Sequence, residues 1–269
     1  MDLDHLATLM RSVAADIVMP RYQSLGAKEI EEKAKGDFVT IADREAELAL
    51  TPELLAMVPG AIVMGEEATA ANPNLLNAAN TDLPIWYVDP IDGTANFVKG
   101  LPSFATMIAF ADKGEVLQAA IYFPVTDMLY QAEKGAGAYI CEAGASTWKL
   151  PRRDRPNILS DARAAFYTKH FPPKWTEPLE RLQRCVASGS TELAAACEYT
   201  DIACGRKDLA TYHRMLPWDH APGSLILREV GGVARNIETG QDHRPAHIQG
   251  PHVLAATETL WQAACELMV

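Results

Sequence analysis

The stretch Ile85-Trp86-Tyr87-Val88-Asp89-Pro90-Ile91-Asp92-Gly93-Thr94-Ala95 joins a short apolar run to two carboxylates and a hydroxyl. An apolar run of this length, rich in aromatic and β-branched residues, predicts a buried strand. Pro90 cannot donate a ladder hydrogen bond and Gly93 opens backbone conformations closed to other residues, so the strand is expected to end after Val88 in a sharp turn. Asp89 and Asp92 then stand close enough around the turn to share hard cations. Backbone N–H groups after Gly93 would face an anion if a helix starts there. Cations beside an anion cradle point to phosphate chemistry. Asp-Pro or Asp-Gly alone is an ordinary turn former, so the reading rests on the compound motif.

Four further stretches bear on it. Gly65-Glu66-Glu67 follows Ala61-Ile62-Val63-Met64, a second short apolar run that delivers carboxylates to its end. Lys35-Gly36-Asp37-Phe38-Val39-Thr40-Ile41-Ala42-Asp43 leads into a helix starting near Asp43, where Thr40 or Asp43 is also a natural N-cap. Trp218-Asp219 opens a helix behind Pro217, and Gly231-Gly232 follows it; ordinary capping by Asp219 and by a glycine would account for that pair alone.

Taken in chain order, the five stretches resemble the motif series of the inositol monophosphatase family, within the lithium-sensitive, magnesium-dependent phosphatases. The matched motifs run from residue 35 to residue 232, so the resemblance covers essentially the whole chain. It implies a magnesium-dependent phosphomonoesterase with two or three Mg²⁺ ions. Glu66, Asp89 and the carbonyl of Ile91 would ligate the first ion, Asp89 would bridge to a second completed by Asp92 and Asp219, and Glu66 would hold a weaker third through water. Thr94, hydrogen-bonded to Asp43, would orient the attacking water. The amides of Gly93 and Thr94 would hold the phosphate, and Lys35 would support the cluster. Oxygen-only ligands suit Mg²⁺ better than zinc, which favours His and Cys.

The departures lie at the substrate end. Inositol-selective members carry a glycine-led segment where this chain has Ala194-Ala195-Ala196-Cys197-Glu198, and a glutamate where it has Tyr212. Ala196, Tyr212 and Asp219 are therefore expected to border the alcohol, with His213 and Arg214 nearby. The metal-phosphate chemistry is specified more sharply than the alcohol: histidinol phosphate, fructose 1,6-bisphosphate and a 3′-phosphonucleotide stand as alternatives to a phosphorylated polyol. A regulatory protein that retains the fold is the alternative outside enzymology, since some bacterial relatives act on transcription machinery.

Composition agrees with an enzyme of small metabolites. The chain has 269 residues, a net charge of −11 and five cysteines without a C-x-x-C pair. The negative charge disfavours nucleic acid as a general partner. The odd cysteine count argues for reduced thiols and a cytoplasmic setting. The acidic stretch Met1-Asp2-Leu3-Asp4-His5 is unlike a basic, apolar signal peptide and the sequence holds no transmembrane run, so no membrane partner is expected. A homodimer is implied by the resemblance alone.

Periodicity predicts helices over residues 3–25 and 41–58, the second interrupted at Pro52. Strands follow near 61–64, 85–88, 104–111, 116–123 and 128–133, with hairpin turns at Lys113-Gly114 and Thr126-Asp127. Beyond the polar stretch 152–156, helices are expected near 174–183, 192–204, 219–230 and from 257. The strands between them are expected at 185–187, 209–212 and 252–256. The expected class is α+β: a layered αβαβα sandwich of the sugar-phosphatase type, with an antiparallel sheet in an N-terminal metal-binding half (1–150) and a mixed sheet in a C-terminal half (151–269) that completes the site.

Overall fold

The computed structural model describes residues 2–34, 36–142 and 147–269. Helix α1 (Leu3–Val13) starts on an Asp2 cap and passes into a π turn (Ala14–Val18) and a 3₁₀ turn (Met19–Arg21), ending short of the expected residue 25. Pro20 has no N–H to continue an α-helical ladder, which accounts for the tightening and stop. The short hairpin β1 (Ile30–Ala34) and β2 (Asp37–Thr40) leads into α2 (Ile41–Met57). Contrary to expectation, α2 runs through Pro52 without a break. The carbonyl that loses its donor belongs to Leu48, four residues back, and Leu48 is exposed, so water can serve it.

The larger sheet takes its strands in chain order: β3 (Ile62–Gly65), then helix α3 (Glu66–Ala71), β4 (Ile85–Asp92), helix α4 (Thr94–Val98), β5 (Ala105–Asp112), β6 (Glu115–Phe123), β7 (Met128–Glu133), β8 (Gly137–Cys141) and β9 (Trp148–Lys149). Pairs from β4 onward are antiparallel, whereas β3 and β4 run parallel. Lys113 and Gly114 both take left-handed backbone angles in the β5–β6 turn, as a two-residue hairpin requires.

The second sheet collects β10 (Arg163–Phe166), β11 (Ser188–Gly189) after helix α5 (Thr176–Cys185), and β12 (Leu209–Arg214) after helix α6 (Ala195–Cys204). Helix α7 (Pro217–Glu229), β13 (Val233–Asn236), β14 (Gln249–Ala255) and helix α8 (Glu258–Met268) complete the chain. Its order, β11-β10-β12-β14-β13, mixes parallel and antiparallel pairs. The strand expected at 185–187 falls instead at Ser188–Gly189, because Cys185 still belongs to α5. Strands β1, β2, β8, β9, β10 and β13 lie outside the expected set.

Alternation along β4 explains the layering. Trp86 and Val88 face a core shared with Leu6, Met10, Leu50 and Leu54 of α1 and α2. Ile85 and Tyr87 face the opposite core, which holds Tyr199 and Ile202 of α6 and Leu225 and Ile226 of α7 together with Ala210 and Leu254 of the second sheet. A third core places α5 and α8 on the outer face of that sheet. Helices and sheets therefore stack α, β, α, β, α, and the central helices serve both sheets at once. Among the described residues no helix is long and apolar enough to cross a membrane.

Candidate active site

Parallel pairing sets two carboxylates side by side. Gly65 of β3 lies opposite Val88 of β4, so the next residues, Glu66 and Asp89, leave neighbouring positions in the same direction. Strand β4 does not stop at Val88 as expected. It continues to Asp92, with a register break between Asp89 and Asp92 against β5. The break falls on Pro90, whose missing donor would otherwise leave a gap in the ladder. Thr106 Oγ1 donates to the Pro90 carbonyl at 2.9 Å, and the Ile91 amide donates to Asp89 Oδ1 at 3.0 Å.

The turn follows at Gly93, which has φ +84° and caps α4. A Cβ there would lie 2.8 Å from the Ser103 carbonyl, so both angle and space call for glycine. Thr94 opens α4, whose first amides have no partner inside the helix.

Asp219 arrives from across the molecule. It sits in the first turn of α7, where Pro217 loses no helical hydrogen bond and Leu216 holds the cap position, so Asp219 is not spent on capping. The glycine reading holds at the other end. Gly231, at φ +89°, donates to the Arg228 carbonyl and Gly232 donates to that of Leu227, closing the helix.

Glu66, Asp89 and Asp219 thus bring carboxylate oxygens within 4.8 Å of one another. Burial first, and then their mutual repulsion, pushes Glu66 and Asp89 well above the usual carboxylate range. Burial also lifts Asp219 to about 6. Among the described residues Lys33 is the cation in ion-pair contact, 3.4 Å from Glu66 and 2.7 Å from Glu67. An oxygen-only donor set with buried Asp89 between two partly exposed carboxylates, and so little countercharge, fits a hard divalent cation, Mg²⁺ included.

Asp92 is placed differently. Its two oxygens accept the amides of Ala195 and Ala196 at 3.1 and 2.7 Å, fastening β4 to the start of α6. Burial, with Asp219 next in effect, raises its pKa to about 7 despite those bonds. Ala196 therefore meets the site through its backbone. The carbonyl of Ile91 accepts the Thr94 hydroxyl at 3.0 Å, and the same hydroxyl lies 3.2 Å from Asp43 Oδ1.

Asp43 serves helix and site together. Its Oδ2 accepts the Thr40 amide and hydroxyl at 2.8 and 2.6 Å, forming a capping box, which leaves Oδ1 for Thr94. Burial raises Asp43 to about 6. Capping and a role at the site, which read as competitors in the sequence, coexist on one carboxylate.

One expected position comes out otherwise. Tyr212 is not open to a rim: it is buried, its ring stacked on Tyr167 with 4.4 Å between centroids and packed against His220, and its hydroxyl has no protein partner among the described residues. The alternation of β12 turns it inward, while His213 and Arg214 lie nearer the surface. Lys35 lies outside the described residues.

Sequence reasoning passed over Lys33 and Glu47. Glu47, one turn after Asp43 on α2, accepts the amides of Glu67 and Ala68 at 2.8 Å each and so holds the start of α3. A Cβ at Gly65 would fall onto the Glu47 carboxyl group, which explains the glycine before the two glutamates. The available signal was an acidic pair four residues apart on the face that carries Ala42, Ala46, Leu50 and Leu54.

Comparison with known proteins agrees with this arrangement. An inositol-1-monophosphatase of Rhizobium meliloti is 32% identical over 216 residues, which cover 79% of this chain and 77% of that protein. The Nus factor SuhB of Vibrio cholerae is 31% identical over 226 residues, covering 81% of this chain and 79% of its own. Among solved structures, inositol monophosphate-bound SaIMPase-II, a staphylococcal protein, shares the fold with a TM-score of 0.77 at 24% identity, over 98% of this chain and 92% of that one. The inositol monophosphatase family model matches residues 2–268, and with the carboxylates of β3, β4 and α7 meeting at one point, the chain belongs to the inositol monophosphatase family.

Proposed function

We propose that the protein is a Mg²⁺-dependent phosphomonoesterase that hydrolyses a small phosphorylated metabolite by direct attack of water. The observation that carries this is the convergence of Glu66, Asp89 and Asp219 within 4.8 Å, with Asp89 buried and the set short of countercharge among the described residues. Glu66, Asp89, Asp92, Asp219 and the Ile91 carbonyl would hold two or three Mg²⁺ ions. A metal held there would supply neutralisation of phosphoryl oxygens, acidification of water and stabilisation of the leaving alkoxide.

The chain's own groups do the rest. The Thr94 hydroxyl, held between Asp43 Oδ1 and the Ile91 carbonyl, accepts a hydrogen bond from the attacking water and fixes its direction. Asp43 anchors that hydroxyl through Oδ1 and can take up the proton passed through it. The free amides of Gly93 and Thr94 at the start of α4 bind the phosphate oxygens. The Asp92 bridge to Ala195 and Ala196 sets the distance between the α4 cradle and the half of the molecule that receives the alcohol.

The substrate class favoured is a phosphorylated polyol or related metabolite, in line with the inositol-1-monophosphatase relative. Release of orthophosphate from inositol 1-phosphate, histidinol phosphate, fructose 1,6-bisphosphate and 3′-phosphoadenosine 5′-phosphate, compared by kcat/KM with Mg²⁺ and with EDTA, tests the reading. Metal-dependent turnover of at least one ester is expected, and none on any of them would defeat it. The SuhB relative supports a second reading, a Nus-factor role beside or in place of catalysis. An Asp89→Asn variant separates the two: it would lose phosphate release and keep a role of that kind.

A further inference from the structure

A second concentration of charge lies away from the carboxylates. Between the β5–β6 turn, the C-terminal half of α7 and the segment after β13 is a cavity of about 470 Å³. Four arginines reach it from four separate parts of the chain: Arg152 before the second sheet, Arg228 in the last turn of α7, Arg235 on β13, and Arg244 in the segment that follows. In a chain with a net charge of −11, such a gathering of guanidinium groups calls for a partner.

The carboxylates around the cavity do not supply it. Asp242 and Glu258 are both taken by Arg235, at 2.7 and 2.8 Å. Glu115 feels Arg228 and Arg244 at longer range, but its carboxylate is held by Lys134 at 2.5 Å. Arg152 and Arg244 form no ion pair among the described residues. Arg228 reaches the Val116 carbonyl at only 3.4 Å.

Helix capping does not occupy Arg152 either. The guanidinium lies against Gly231, where a Cβ would come 3.1 Å from it, while the Leu227 and Arg228 carbonyls already accept the amides of Gly232 and Gly231.

We infer that this cavity binds a compact phosphate-bearing anion at a site separate from the metal centre. Planar guanidinium forks converging from several directions match the oxygens of a phosphate group, and no cation is needed to bring it in. The inference does not rest on the phosphatase reading.

The test is calorimetric titration of the metal-free protein, in EDTA at a fixed ionic strength of about 0.15 M, with inorganic pyrophosphate as the probe. One-site binding is expected. An Arg152→Gln/Arg244→Gln double variant, altered only at exposed positions, should weaken it by about tenfold or more, with the thermal unfolding midpoint and Mg²⁺-dependent turnover unchanged. Glu66→Gln should leave pyrophosphate binding as it was. No binding to the wild type, equal binding to the double variant, or loss on Glu66→Gln instead would overturn the proposal.

Discussion

Buried carboxylates occur in two regions of this molecule, and they are treated in opposite ways. In the second half, Glu198 is fully buried and fully served: Lys207 reaches it at 2.5 Å, and Thr191, the Glu192 amide and Tyr167 donate as well. Asp208, equally buried, has Arg153 and Arg163. At the end of β4, Asp89 is just as deep, yet it accepts one amide, faces Glu66 and Asp219, and forms no ion pair with a cation among the described residues. The same residue type in the same burial is compensated internally in one place and left uncompensated in the other. Charges that stabilise the fold bring their partners with them, and charges that hold a ligand wait for it.

Substitutions break the comparison in different ways. Asp89→Asn should lower kcat/KM by about 10³-fold or more, because it removes a ligand that stabilises developing charge, and it should leave the metal-free protein as stable as the wild type or more so. Steady-state phosphate release and urea unfolding in EDTA measure the two effects; a variant that loses both activity and stability would erase the contrast. Lys207→Met should do the reverse. Stranding Glu198 should cost about 3–5 kcal/mol in urea unfolding, while Mg²⁺ affinity in the folded variant stays within a few-fold.

Thr94→Ala sharpens the division inside the site itself. Thr94 orients water and ligates no metal in this account, so kcat should fall by about 10²-fold at saturating Mg²⁺ with apparent metal affinity nearly unchanged. A collapse of metal affinity at constant kcat would reassign the residue.

The smallest effect is in pH. Burial holds Asp92 at about 7, above its unfolded value near 3.9. The folded metal-free protein therefore keeps a proton there that the unfolded chain releases. The stability this contributes is full below about pH 4 and is lost as pH rises through about 7. Buried His252, held down to about 4, works the other way: its contribution is full above about 6.5 and fades as pH falls toward 4. Comparing wild type with Asp92→Asn cancels the histidine, and the variant should gain relative stability in EDTA as pH rises from 5 to 8. A constant difference across that range would mean that Asp92 titrates normally.

Much of this was legible in the chain. The apolar runs before Glu66 and Asp89 gave β3 and β4 because a strand buried on both faces has no polar alternation to blur it, and Lys113-Gly114 gave a hairpin because few residues accept its angles. The carboxylates of the site were legible only through the order of several individually ordinary motifs and the family they resemble, since Asp219 by itself reads as a helix cap. Strands β10 and β13 were not, since Arg163-Ala164-Ala165-Phe166 and Val233-Ala234-Arg235-Asn236 are short and draw their order from neighbours distant in sequence. Tyr212 was misjudged because position along the chain fixes its distance from Asp219 but not the face of β12 it occupies. Glu47 and Lys33 escaped because their partners, the start of α3 and the Glu66–Glu67 pair, are met only once the chain has folded.

The central claim is that the cluster of Glu66, Asp89 and Asp219 awaits a divalent cation. Thermal unfolding of wild type and Asp89→Asn, each with EDTA and with Mg²⁺ at pH 8, tests it most directly, because no substrate has to be known. Mg²⁺ should stabilise the wild type, by about 2.7 kcal/mol at a hundred times its Kd, and should leave the variant almost unmoved. Equal stabilisation of both proteins, or of neither, would contradict the account.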